Sequence, residues 1–101
     1  MEKDLLFKDW IYLEDNIGHE GSENGEILLD HELPHLSRIT IEKKINLKNR
    51  NPYYAITVGV YGIVVHTAYF ATFDDAKESY NALRLIIQAI LFSQENNSSN
   101  Q

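Results

Sequence analysis

The residues with the most suggestive chemistry are His31-Glu32-Leu33-Pro34-His35, which satisfy the H-E-x-x-H pattern of zinc metalloproteases. That chemistry needs a helix, so that two histidines four apart face one metal while the glutamate activates its water. Pro34 opposes a helix here, because it lacks a backbone donor and pushes Leu33 toward extended geometry. The match is therefore read as a coincidence. His19, Glu20, His31, Glu32 and His35 remain as loop-borne imidazoles and carboxylates that would suit zinc or a similar divalent ion. Histidines clustered in polar loops are more often plain solvated side chains, so no metal and no cofactor is assigned.

His66 differs, because it lies inside an apolar strand beside Val65 and Thr67. With Thr57, Tyr53 and Phe70 it could line a shallow ligand-binding surface, using its imidazole for proton transfer or hydrogen bonding. The plainer alternative is a packed histidine with one nitrogen satisfied. No serine nucleophile sits in a recognisable elbow, there is no phosphate loop, and with zero cysteines thiol catalysis and disulfides are excluded. No coherent catalytic set emerges.

A single domain is expected from 101 residues, 44% of them hydrophobic and 24% charged. No apolar run reaches the ~18–20 residues of a membrane-spanning helix, and the acidic N-terminus has no signal-peptide layout. The expectation is a cytoplasmic protein without membrane contact. The net charge of −6 is uneven: residues 1–35 carry ten acids and two bases, residues 36–52 five bases and one acid. Overall acidity argues against nucleic acid as a partner. The tyrosines invite a base-stacking reading, but several are expected in the core.

The element that must position these residues is the stretch Tyr53–Phe73, rich in β-branched and aromatic residues and read as a central hairpin. A two-residue turn at Tyr61-Gly62 would pair Val60 with Ile63, Val58 with Val65, Ile56 with Thr67 and Tyr54 with Tyr69. Tyr53, Thr57, His66 and Phe70 would then share the opposite face. Ahead of the hairpin, 36–45 alternates with Ile39, Ile41 and Ile45 on one side, the mark of a half-buried strand. Residues 26–30 read as another short strand, 16–25 as a polar loop, and 4–15 as a short amphipathic helix. A strand over Trp10–Leu13 is the competing reading, because aromatic and β-branched residues also suit sheet.

Thr72 is a good helix cap, and Phe73, Ala76, Tyr80, Leu83, Ile87 and Ile90 follow at helical spacing, predicting a helix over 73–92. Residues 1–93 form the domain and 94–101 a polar, disordered tail. Leu85, Ala89 and Phe92 make a second apolar stripe, suited equally to coverage by the N-terminal segment through Phe7 and Trp10 or to a symmetric dimer interface. The fold class is thus α+β: an antiparallel meander of three or four strands, a long C-terminal helix on one face and a short N-terminal helix. The function expected is a small non-catalytic interaction module, a homodimer or a binder of another protein, acting through its open sheet face or C-terminal helix. The alternative is a ligand-binding protein or enzyme using His66, or a loop metal site at His31 and His35.

Overall fold

The computed structural model describes residues 5–99. Five strands, β1 (Ile11–Tyr12), β2 (Glu26–Leu33), β3 (Ser37–Ile45), β4 (Pro52–Val60) and β5 (Val64–Phe70), form one antiparallel sheet in chain order. Helix α1 (Phe73–Ser99) follows. Thr72 caps it, accepting from the Asp75 N–H at 3.1 Å, and Asp74 and Asp75 face the positive end of the helix dipole. The helix runs past residue 92 through most of the polar segment read as a tail; Asn100 and Gln101 lie outside the described residues.

The core lies between α1 and one face of the sheet. Ile39 and Ile41 of β3 and Ile56 of β4 are buried there against Ala76, Tyr80 and Ile87 of the helix. Alternation on β3 thus places its isoleucines inward and Arg38, Thr40, Glu42 and Lys44 on the other, open face. Ile45, at the strand end, is exposed.

Three expectations change. The N-terminal segment is not a helix: within the described residues it holds 3-10 turns at Leu5–Phe7 and Glu14–Asn16, with strand β1 between them. A helix of about twelve residues is marginal in water, whereas Ile11 and Tyr12 gain a ladder opposite Glu32 and His31. Phe7 and Trp10 bury against α1 without an N-terminal α-helix; the indole N–H donates to Gln88 Oε1 at 3.1 Å. That extra strand brings the sheet to five. In addition, β2 continues through Leu33, so His31 and Glu32 are strand residues and His35 sits in the following turn with φ 66°.

The third change is the hairpin register. Val60 pairs with Val64, Val58 with His66, Ile56 with Ala68 and Tyr54 with Phe70, one residue from the expected pairing. A two-residue primed turn needs positive φ at its first central residue, and Tyr61 does not adopt it; positive φ falls on Gly62 alone, at 77°. The loop therefore takes in Ile63, whose N–H donates to the Val60 carbonyl at 3.0 Å, a type II arrangement. With a period of two, that single extra residue sends the side chains from His66 to Phe70 to the face opposite the expected one.

Candidate functional site

The register slip divides the expected ligand-binding quartet. Thr57 and Tyr53 lie on the open face, while His66 and Phe70 lie on the helix side, opposite Val58 and Tyr54. Phe70 packs against the core and His66 is exposed. Thr57 Oγ1 lies 3.5 Å from Thr67 Oγ1, and the Tyr53 ring meets Tyr69 with centroids 6.1 Å apart. The helix stripe also splits: Leu85 and Ala89 are exposed, whereas Phe92 is half-buried against the core.

His31 and His35 part as well. His31 is buried under α1, with Nδ1 2.6 Å from the Tyr80 hydroxyl, and that hydroxyl donates to the Ile39 carbonyl at 3.2 Å. His35 is exposed in the turn. Among the described residues no group of three or more histidines and carboxylates converges as metal ligands would.

Sequence reasoning missed the polar network of the open face. Asp30 and Glu42 are both fully buried. Asp30 accepts two hydrogen bonds from the Arg38 guanidinium, at 3.0 and 2.6 Å, and a third from Asn16 Nδ2 at 3.0 Å. The hydrogen-bonded Asp30 carboxylate raises the Arg38 pKa above its ordinary value, against the opposing effect of burial. Glu42 accepts the backbone N–H of Glu23 at 3.1 Å and of Gly25 at 3.0 Å. Lys44 Nζ donates to the Glu23 carbonyl, and Tyr69 donates to Glu23 Oε1 at 3.0 Å. These bonds strap residues 18–25 onto the sheet. Gly21 fits the strap because a Cβ there would collide with the Glu42 carboxylate.

Between this strap and the β4–β5 turn lies a groove of about 690 Å³, floored by Arg38, Thr40, Thr57 and Gly59 and rimmed by Tyr61, Ile63 and Val65. It offers hydroxyls, one guanidinium edge and an apolar rim, the means to hold a small polar molecule by hydrogen bonds. His19 also lines it.

At the groove mouth, partial burial and the Glu32 carboxylate that accepts its proton at 2.7 Å push the Tyr61 phenol up to about 12. The neutral phenol is thus favoured in the folded state. The stability it contributes is complete below the ordinary tyrosine value of about 10 and is lost as pH rises through the folded value. In ultraviolet titration of the six tyrosines, Tyr61 is expected to contribute a late component near 12, beside Tyr69, whose phenol is also raised by the Glu23 carboxylate it donates to. Tyr61→Phe should remove that component and Glu32→Gln should move it earlier; an unchanged curve in both variants contradicts the assignment.

The two edges of the sheet are built differently. On one side β1 is only two residues long, and the rest of the β2 edge is occupied by the strap. There Leu13 N–H donates to the Asp30 carbonyl (2.9 Å), Gly18 N–H to Ile27 (2.8 Å) and Ile27 N–H to His19 (2.9 Å). On the other side β5 is seven residues long, and among the described residues no strand pairs with its outer edge. From Asn51 to Phe73, 23 consecutive residues, there is no Asp, Glu, Lys or Arg. Val65 is 75% exposed, Tyr69 58% and Ile63, in the turn, 74%.

No protein-family model matches this chain, and comparison with curated proteins and with solved structures likewise finds no match. No helix among the described residues is long and apolar enough to cross a membrane.

Proposed function

We propose that this chain is a small non-catalytic interaction domain that works by strand addition at β5. What carries the reading is the contrast between its edges. Edge strands present unpaired N–H and C=O groups, and proteins that must avoid association blunt them with charges, prolines, bulges or short length. The β1–β2 edge is short and strapped over. The β5 edge has none of these devices: it is long, free of charge and proline, and lined by exposed Val65 and Tyr69. Main-chain pairing at such an edge supplies affinity, and alternate side chains supply selectivity.

A fluorescently labelled synthetic peptide with the sequence of residues 64–70 tests the reading. Its anisotropy should rise with added protein. The same peptide N-methylated along its pairing edge should not bind, and Val65→Lys in the protein should weaken binding. Equal binding of the methylated peptide, or no binding of either, rejects strand addition.

A further inference from the structure

Resting on strand addition at β5, we propose that the strand added is β5 of a second copy of this chain, antiparallel about a two-fold axis through Thr67.

Charge selects the occupant. Two copies each carrying −6 repel wherever their acids meet, and the uncharged run 51–73 is the longest stretch on which they would not. A basic foreign strand would be matched by carboxylates on the receiving edge, and β5 carries none. An uncharged strand is the complement of an uncharged strand.

The side chains are also self-complementary. With Thr67 opposite the partner's Thr67, Val65 stands opposite the partner's Tyr69 on the open face, and His66 opposite the partner's Ala68 on the helix side. Aromatic against β-branched and threonine against threonine are among the favourable cross-strand pairs. Symmetry repeats the Val65–Tyr69 pair, so the exposed Val65 and Tyr69 are covered in each copy.

The helix supports the same geometry. Lys77, Asn81 and Arg84 line a second groove, on the helix side, together with Tyr12 of β1 and His31 of β2, and Gln88 meets Trp10. Ile90 lies two residues from Gln88, ~200° around the helix, and so on the flank toward β5. Ile86 is one turn before it, and both isoleucines are about half exposed. An antiparallel β5–β5 junction relates the copies by an axis perpendicular to the sheet, leaving both helices on one side with these flanks turned toward the junction.

Because the chain has no cysteine, single cysteines report the register without interference. On the two-fold axis, Thr67→Cys places its Cα within ~5.5 Å of its counterpart, inside the disulfide range. It should form a covalent dimer under mild oxidant. Val65→Cys and Tyr69→Cys should each stay uncrosslinked alone, because four residues of offset separate like positions by ~13 Å, but should crosslink when mixed. In sedimentation the wild-type chain should be a dimer at micromolar concentration, and Val65→Lys should weaken it roughly a hundredfold by placing ammonium groups in the seam. A wild-type dimer whose Thr67→Cys and mixed Val65→Cys/Tyr69→Cys forms do not crosslink overturns the proposal by placing the contact elsewhere. A monomeric wild-type chain overturns it too. If that monomer still binds the 64–70 peptide, strand addition stands and only the second copy is rejected; if it does not, both readings fall.

Discussion

Tyr80→Ala is expected to cost about 4 kcal/mol of folding stability, a large share of what a domain of this size has. Tyr80 is fully buried and packs between α1 and the isoleucines of β3 and β4. Removing the ring leaves a cavity whose walls, a sheet and a helix, collapse only in part. Its hydroxyl adds a second effect, because it bridges the Ile39 carbonyl and the His31 imidazole. Tyr80→Phe keeps the packing and strips the bridge, so it isolates that effect at about 1–3 kcal/mol. Urea unfolding of the two variants separates packing from hydrogen bonding. An alanine variant no less stable than the phenylalanine variant would contradict this account of the core.

Glu42→Ala is expected to cost about 2–3 kcal/mol, and the loss should be concentrated in the strap. The carboxylate is fully buried, yet it accepts from the Glu23 and Gly25 backbone rather than from a cation. Without it those two donors have no acceptor beneath them, and lifting residues 18–25 into water is the cheaper outcome. Amide exchange at Glu23 and Gly25 should then accelerate far more than exchange in β3 and β4. Glu42→Gln retains an acceptor oxygen and should fall between wild type and alanine. Gly21→Ala should resemble Glu42→Ala, since its methyl group would occupy the space of the carboxylate. Uniform acceleration over the whole sheet would mean that Glu42 supports the fold and not the strap.

The parts legible in the sequence were those set by local patterns. Alternation over 36–45 marked β3, and the Thr72 cap with its apolar spacing marked the start of α1. The hairpin's existence was legible but its register was not. A two-residue turn needed Tyr61 to adopt a left-handed backbone, and the chain extended the loop by one residue instead. The N-terminal stripe of Leu6, Trp10 and Leu13 suited a helix, but Ile11 and Tyr12 found a sheet edge to pair with. Asp30, Arg38 and Glu42 look in the sequence like solvated charges. Only tertiary contacts show two of them buried, because their partners lie 8 to 19 residues away. The uncharged run 51–73 was visible throughout. It took on meaning once β5 proved to be an edge, since the same composition in a central strand would be ordinary core.

The claim that the β5 edge receives a second copy is tested most directly by residue-resolved amide exchange of the unmodified chain across a dilution series. In an unpaired edge strand alternate amides face water and exchange quickly, while those bonded to β4 are protected. The account predicts that the outward-facing amides of β5 are protected at high concentration. They should lose that protection on dilution while the amides of β3 hold theirs. Fast exchange of those β5 amides at every concentration would contradict it.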